Sequence, residues 1–580
     1  MAGAKKRTVQ QAEVKRVPSY RARRIVVLSV MALAFGLLIG QSVDRQVFET
    51  AFLQEQGERR YLRVMEVNAS RGMITDRNGE PLAISTPVDS IWADPQELQG
   101  ASAQWPRLAK LLDSDVRRIK ERLKENASRE FVYLKRHVPP ALAEQVMALD
   151  IPGVFSQREY RRYYPAGEVA GHVLGFTNVD DVGQEGAELA YEQVLRGTPG
   201  SMRVIKDRLG RIVETVERIN EPVPGRDLKL SIDRRIQYLA YRELKAAVQD
   251  SRAASGSAVV LDVRTGEVLA MVNQPTYNPN NRESLRGSRY RNRAVTDVFE
   301  PGSTVKPFTV AMALESGQYR PGTMIDTEPG TLRVGPNTIH DTHDYGLINV
   351  STVIAKSSNV GASKIALSLP PERLWNMFHK VGFGSLSEAD FPGEATGSLP
   401  DYHRWYPIDH ATFSFGYGLS VSTLQLARAY AALAADGVLK PVSFVPVQSE
   451  PVGQRVMKAK TARQVVAMLK GVVSDEGTGE LARVSGYQVA GKTGTVRKST
   501  SGGYAEDKYI ALFAGMIPAT RPRLVMVVEV NDPRSDHFYG GSVAAPVFSR
   551  VMSGAMRLLD IAPDDLPSLN GEKMAKAEGL

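Results

Sequence analysis

Ser303 and Lys306 stand three residues apart in FEPGSTVKPF, directly after a Pro-Gly break. The next stretch, TVAMALESG, favours a helix that stops at Gly317. The spacing therefore predicts Ser303 at or near the first turn of a helix and Lys306 on the same face, within touching distance. Pro307 is tolerable there, because first-turn amides have few intrahelical partners to lose. A hydroxyl beside an amine is a nucleophile beside a base, provided that the amine is neutral. Taken alone, the pair reads more readily as a helix cap and a solvated cation, since caps are commoner than nucleophiles. Two later stretches change the balance. KSSNVG supplies Ser357-Ser358-Asn359 at a predicted helix start, and GKTGT supplies Lys492-Thr493-Gly494-Thr495 on a predicted strand. Each fragment is weak by itself, whereas all three in this order form a strong joint signal.

The elements that position these residues begin near Leu228. DRRIQYLAYRELKAAVQDS has Ile236, Leu239, Ala240 and Leu244 at helical spacing. SAVVLDV and EVLAMVN read as a hairpin across Arg264-Thr265-Gly266, and YQVAGKTGTV, YIALFAGMIP and RLVMVVEVND as three further strands. APVFSRVMSGAMRLLD closes with a helix. First and last helices around strands from both ends of this region predict one α+β unit, an antiparallel sheet between helices, with a helical insert over 317–480. Within it SVSTLQLARAYAALAADG is the clearest helix, with a capping box at Ser422 and Gln425 and a stop at Gly437.

Composition frames the rest. The chain has 580 residues, 43% apolar and 24% charged, which suits two or more globular domains. It has no cysteine, which excludes disulfides, a thiolate nucleophile and zinc–thiolate sites. The net charge of +9 is concentrated in residues 1–24, where eight basic residues face only Glu13. The remainder is nearly neutral, so no nucleic-acid partner is expected. Ile25 to Val43 is a run of 19 uncharged residues, the length of a bilayer core. Its flanking positives predict an uncleaved single-span anchor with residues from about 46 onward outside the inner membrane. IGQSVDRQ is not a clean signal-peptidase site. Between anchor and catalytic unit, SRGMITDRNGEPLAIS reads as two strands joined at Asn78-Gly79, and NEPVPGRD at 220–227 reads as a boundary. The expected organisation is a basic tail (1–24), an anchor (25–43), a mixed spacer or interaction domain (46–225), a catalytic domain (226–560) and a C-terminal tail (561–580).

The ordered set of S-x-x-K, S-x-N and K-T-G elements is the signature of penicillin-binding proteins and class A β-lactamases. Together with RGMITDRNGEPLA, RRYYPAGEVAGHVLGF, MVNQPTYNPN and FSFGYGLSVSTLQLARAYAALA, it makes the chain resemble a class B penicillin-binding protein over nearly its whole length, most closely the division-type branch. The elongation branch shares these motifs. The resemblance implies a pedestal (dimerisation) domain before a transpeptidase domain, and peptidoglycan D,D-transpeptidation in the septal wall. Ser303 attacks the D-Ala-D-Ala bond of a donor stem peptide, and an amine of a neighbouring stem resolves the acyl-enzyme into a 4,3 cross-link. β-Lactams acylate the same serine. Implied roles are Lys306 as base, Ser357 as proton relay, Asn359 as orienter, and Lys492 and Thr495 as carboxylate contacts beside Thr493. Gly494 lets a peptide approach the strand, and the amides of Ser303 and Thr495 form the oxyanion hole. Tyr417, Phe538 and Tyr539 are expected to face substrate, with Phe415 in the core. Further implied partners are the inner membrane, a SEDS-family (FtsW-like) glycosyltransferase and other division proteins. No metal or organic cofactor is implied.

Other readings remain open at this level. A β-lactamase needs a water-activating glutamate; Glu372 and Asn376 in PERLWN have tempting spacing but read as an amphipathic helix start. A carboxypeptidase side activity would use the same residues on water. A β-lactam sensor or division scaffold could keep the fold with little catalysis. His340-Asp341-Thr342-His343-Asp344 is metal-like in composition but reads as a loop without a third ligand.

Overall fold

The computed structural model describes residues 20–48, 62–206, 212–281, 287–500 and 503–565. The expected basic tail up to residue 19 and the C-terminal tail from 566 lie outside the described residues. The uncharged run forms helix α1, Arg21–Val43, with no buried residue. At 1.5 Å per residue it is about 34 Å long, enough to cross a hydrocarbon core of about 30 Å. It is the one helix among the described residues long and apolar enough to do so.

The pedestal contains two sheets. Strands β1 (Leu62–Val67), β6 (Gly200–Lys206) and β7 (Ile212–Asn220) form one, in the order β1-β6-β7. The other runs β4-β3-β2-β8, from β2 (Ile74–Thr75), β3 (Pro81–Ala93), β4 (Val132–Val138) and β8 (Leu228–Lys229), with β5 (Val154–Tyr163) also paired to β3. The expected hairpin is present. Gly79 turns between β2 and β3 at φ +91°, and Asp76 Oδ1 accepts the amides of Asn78 and Glu80. The Pro/Gly stretch 220–227 joins β7 to β8, and β8 pairs in parallel with β2 just before the chain enters the catalytic domain. Beneath these strands Arg71 and Arg162 share the buried carboxylate of Glu188, at 2.6 and 2.7 Å.

The catalytic sheet has the order β10-β9-β19-β18-β17 and is antiparallel throughout. Its strands are β9 (Ser255–Asp262), β10 (Val268–Gln274), β17 (Ala490–Thr500), β18 (Gly503–Ile517) and β19 (Leu524–Asn531). Both faces are covered, which explains why these strands are continuously apolar rather than alternating. On β9, Ala258 and Val260 join a core with helices α2 (Arg234–Asp250) and α7 (Gly540–Leu558). Val259 and Leu261 point to the opposite core, which includes helix α3 (Lys306–Glu315). Strand geometry sends successive side chains to opposite faces, so one strand feeds both cores.

Three more helices frame the site: α4 (Asn359–Leu367), α5 (Thr423–Ala434) and α6 (Ala459–Lys470). The expected capping box at Ser422 and Gln425 opens α5, and Gly437 follows its end at φ +80°. The insert is not purely helical. It also holds two-stranded ribbons β11 (Met324–Asp326) with β14 (Leu347–Asn349), β12 (Thr331–Val334) with β13 (Asn337–His340), and β15 (Val438–Leu439) with β16 (Gln454–Arg455). Strands this short lack the length that makes a period-two pattern visible. Phe308 of α3 is fully buried against Phe383 and Tyr430, edge-on at 5.6 Å from each ring. Truncating such an aromatic costs about 3–5 kcal/mol, which fixes α3 in place.

Candidate active site

Ser303 lies in a single 3₁₀ turn, Gly302–Val305, which runs straight into α3. Gly302 has φ +53°, and a Cβ there would stand 2.3 Å from Val496 Cγ2. Only glycine lets this turn press against β17. The turn is also held by the Gly302 amide on Gly416 O at 3.1 Å and by the Tyr430 hydroxyl on Thr304 O at 2.7 Å. Pro307 occupies the first helical turn, where its missing N–H goes unused.

Lys306 and Lys492 are both fully buried. Lys306 Nζ donates to Asn359 Oδ1 at 2.8 Å, to the Ser357 carbonyl, and to Ser357 Oγ at 3.3 Å. Lys492 Nζ donates to the same Ser357 Oγ at 2.9 Å and to Thr493 O at 3.1 Å. No hydrogen bond joins Ser303 Oγ to Lys306 Nζ among the described residues. The amine, stripped of water, turns to the carbonyl and amide oxygens of the S-x-N element, which are the stronger acceptors available. Burial, then the neighbouring Lys492 charge, holds Lys306 well below the ordinary lysine pKa, while Asp341 pulls it upward. Burial brings Lys492 down to about 7. A neutral Lys306 has two hydrogens, which the Ser357 carbonyl and Asn359 Oδ1 can occupy. Its lone pair is then left for a hydroxyl proton.

Ser357 reaches both lysines through an unusual backbone, with φ +63°, a left-handed conformation that costs a non-glycine residue about 1–3 kcal/mol. Ser358, next along, is the N-cap of α4 and accepts the Gly361 amide at 2.8 Å. Asp341 holds this arrangement from outside. Its Oδ2 accepts the Ser358 hydroxyl at 2.5 Å, and its Oδ1 accepts the amides of Asn359 and, at 3.0 Å, Val360. The adjacent His340 carbonyl accepts Asn359 Nδ2 at 3.0 Å. The stretch read as a bare loop thus ends a strand, and ribbon β12–β13 carries its aspartate to the S-x-N element. Sequence reasoning missed Asp341, because no spacing rule links a ribbon end to a helix cap 17 residues away. Among the described residues no group of three or more His, Cys, Asp or Glu is placed to hold a metal.

Strand β17 is the free edge of the sheet. The Arg497 amide donates outward to the Tyr417 hydroxyl at 3.4 Å. Outward and inward amides alternate along an antiparallel strand, so the amides of Thr495 and Thr493 face the open edge as well. Thr493 Oγ1 pairs with Thr478 Oγ1 at 2.6 Å, a contact the sequence did not reveal, and Thr495 Oγ1 accepts the Gly540 amide at 3.0 Å. Gly494 has a packing reason beside the expected one. A Cβ there would meet Thr304 Cγ2 at 3.0 Å and Leu512 Cβ at 3.1 Å, so the glycine admits the Ser303 turn and the sheet core.

Two aromatic groups meet β17 near Arg497. Tyr417 packs edge-on against Phe415 and Tyr504, at 5.7 and 5.2 Å. Phe538 stacks between Tyr509, the cross-strand partner of Arg497, and Tyr539. Phe415 is buried in a small core with Ile339 and Ala411, whereas Tyr539 is 59% exposed. Glu372 and Asn376 lie one turn apart on a separate helix, Pro371–Lys380, 3.5 Å from each other.

Comparison with known proteins agrees with this geometry. Residues 256–553 match the family described as the penicillin binding protein transpeptidase domain, and residues 66–230 match the penicillin-binding protein dimerisation domain. The chain is 44% identical over 539 residues to the peptidoglycan D,D-transpeptidase FtsI of Escherichia coli, covering 92% of this chain and 91% of that protein. It is 42% identical over 558 residues to the probable peptidoglycan D,D-transpeptidase PenA of Neisseria meningitidis, covering 96% of each. The transpeptidase domain of Burkholderia pseudomallei penicillin-binding protein 3 superposes with a TM-score of 0.54 at 45% identity, over 58% of this chain and 98% of that one. A peptidoglycan synthetase of Bifidobacterium adolescentis superposes with a TM-score of 0.70 at 25% identity, over 87% and 98%. The chain belongs to the class B penicillin-binding proteins, in which a dimerisation domain precedes the transpeptidase domain.

Proposed function

We propose that this chain is a peptidoglycan D,D-transpeptidase of the septal cell wall that works through an acyl-enzyme on Ser303. The observation that carries the proposal is one hydroxyl, Ser357 Oγ, set between two buried lysine amines beside the Ser303 turn. Neutral Lys306 takes the Ser303 proton as Oγ attacks the carbonyl of the penultimate D-alanine. The outward amide of Thr495, with that of Ser303, receives the oxyanion. As the tetrahedral intermediate collapses, the departing D-alanine amine gains a proton through Ser357 from the lysine pair. An acceptor amine then attacks the ester and loses its proton along the same path; the Ser303 Oγ–carbon bond breaks, Oγ regains its proton, and the 4,3 cross-linked product is released. The donor lies along the β17 edge with its terminal carboxylate toward Lys492, Thr493 and Thr495. A β-lactam follows the first step, but its leaving nitrogen stays tethered in the site.

The resemblance extends the proposal to the cellular setting. Helix α1 anchors the chain in the inner membrane, and the domains from residue 62 onward work in the periplasm beside a SEDS-family glycosyltransferase and other division proteins. External protease acting on spheroplasts tests this orientation; a large domain that stays intact until the membrane is broken would refute it. Ser303→Ala tests the chemistry. The variant is expected to keep its thermal unfolding profile and lose covalent labelling by fluorescent penicillin. A penicilloyl adduct on any other residue of the wild-type chain would overturn the assignment.

A further inference from the structure

A cavity of about 930 Å³ opens at the end of the catalytic sheet where the β9–β10 and β18–β19 turns meet. The Val263 amide donates to the Arg523 carbonyl at 2.9 Å and ties the two turns together. Helix α6 forms the facing bank, and the β15–β16 loop closes one side. None of the residues placed in the active site lines it. The floor is apolar, built from buried Leu433, Val466 and Ala519. The rim is basic. Its two acids are already engaged, Asp436 by Arg463 at 2.6 Å and Glu450 by Lys440. Three arginines on the turns are not neutralised in this way. The side chains of Arg264 and Arg521 are exposed and make no ion pair or hydrogen bond with any described residue; Arg264 acts on Glu450 only through space. Arg523 comes no closer than 3.8 Å to Asp262, and its buried Nε has no hydrogen-bond partner among the described residues. Beside them, on the β15–β16 loop, Val452 holds an apolar side chain 97% exposed.

Cations without a counter-charge beside bare apolar surface mark a face that a ligand covers with profit. We infer that this groove docks a short acidic segment of a second protein, in which carboxylate side chains are interleaved with apolar ones. The carboxylates meet Arg264, Arg521 and Arg523, whose planar guanidinium forks favour paired hydrogen bonds. The apolar side chains cover Leu433, Val466 and Val452. Arg523 Nε is the most demanding contact, since a donor that is already desolvated gains most from an acceptor. A bilayer surface is also anionic, but it is flat. The arginines face α6, with its own Arg463 and Lys470, across a concave groove. A single chain can enter between the two banks, whereas a lipid surface cannot reach the floor. The inference does not depend on the proposed transpeptidase reading.

Three fluorescein-labelled peptides test it on the full chain in detergent, read by fluorescence anisotropy. Each has four repeats, of Leu-Glu-Glu, Ser-Glu-Glu or Leu-Lys-Lys. The Leu-Glu-Glu peptide is expected to bind about tenfold or more tightly than the Ser-Glu-Glu peptide, which lacks the apolar contacts, and the Leu-Lys-Lys peptide should not bind. Raising NaCl from about 50 to about 500 mM should weaken the complex. Arg264→Gln combined with Arg521→Gln should weaken it about tenfold, and Arg523→Gln should act in the same direction, while penicillin labels Ser303 at the wild-type rate in each variant. Absence of binding by the Leu-Glu-Glu peptide, equal affinity for the Ser-Glu-Glu peptide, or an affinity unchanged by the arginine substitutions would overturn the groove assignment. Displacement of the bound peptide by phosphatidylglycerol added to the micelles would also overturn it, and would assign the arginines to a membrane surface.

Discussion

Lys492 Nζ lies 2.9 Å from Ser357 Oγ, and the same oxygen is approached by Lys306 from within the catalytic helix. Two amines converging on one hydroxyl in a dry site cannot both stay charged without a large cost, so the pair titrates jointly. Lys306 is depressed by burial and by Lys492, and Lys492 by burial to about 7. A depressed lysine is neutral above its folded pKa, so the fraction of active base grows as pH rises through that value. Acylation of Ser303 by penicillin should increase with pH and level off well below about 10.4, where an unperturbed lysine titrates. A rate that keeps climbing through pH 10 would show that the lysines are not perturbed.

Lys306→Arg keeps charge and bulk but supplies no base, because a guanidinium does not release its proton. It also cannot reproduce the compact contacts of Nζ with the Ser357 carbonyl and Asn359 Oδ1. General-base catalysis is worth about 10²–10⁴-fold, and a loss in that range is expected in penicillin acylation. Stopped-flow measurement on a variant with unchanged circular dichroism decides the matter. Near wild-type acylation would make Lys306 an electrostatic post and place the base elsewhere.

Asp341 touches no reacting atom in this arrangement; it positions the residues that do. Its carboxylate accepts three hydrogen bonds, from the Ser358 hydroxyl and the amides of Asn359 and Val360, and its charge raises Lys306. Asp341→Asn removes that charge, so the Lys306 pKa falls further and the acylation profile shifts toward lower pH. The rate at the plateau should fall about tenfold as the S-x-N turn loosens, since hydrogen bonds to a charged group are worth about 1.5–3 kcal/mol. A purely structural role would lower the plateau without moving the profile, and that result would remove Asp341 from the electrostatics of the site.

Elements whose signals are local were legible in the sequence. The turn at Asn78-Gly79, the capping box at Ser422 and Gln425, and the serine and lysine at the start of α3 each depend on residues within a few positions of one another. Phe415 was correctly assigned to the core. Long-range placement was not legible. Asp341 arrives on a ribbon too short to show a strand pattern, and Thr478 meets Thr493 across a loop. The hydrogen-bond partners of Lys306 were not legible, because spacing along a helix fixes a face, whereas the direction of a long side chain is set by the acceptors around it. Gly494 was read as serving a ligand, and its packing against Thr304 and Leu512 is a further reason that local spacing does not reveal.

Tyr417 combines an aromatic surface with a hydroxyl that covers the Arg497 amide. Tyr417→Ala should lower acylation by β-lactams with aromatic side chains about tenfold, and Tyr417→Phe much less, if the ring supplies the contact. Tyr539→Ala, which removes the exposed end of the Phe538 stack, should act in the same direction. Rates unchanged in both alanine variants would show that neither aromatic group faces the ligand.

The pedestal makes a prediction separate from catalysis. Glu188 lies fully buried between Arg71 Nε at 2.6 Å and Arg162 Nε at 2.7 Å, and Arg71 also reaches Glu192 at 2.6 Å and the Glu188 carbonyl at 2.8 Å. Glu188 therefore bridges two guanidinium groups that water does not reach, and it is the ion-pair partner of Arg162 while Glu192 also pairs Arg71. Glu188→Ala leaves those charges facing each other in a dry interior, which costs about 3–5 kcal/mol. For a unit of this size each kcal/mol lowers the midpoint by about 2–4 °C, so the pedestal transition in calorimetry should fall by about 10 °C. Glu188→Gln keeps an acceptor for one arginine but no charge, and should fall by a similar amount if charge balance dominates. Penicillin should still acylate Ser303 below the new transition, because the core between the catalytic sheet, α2 and α7 is built from buried residues of the catalytic domain. A pedestal midpoint unchanged in Glu188→Ala would mean that the buried pair contributes nothing net to stability.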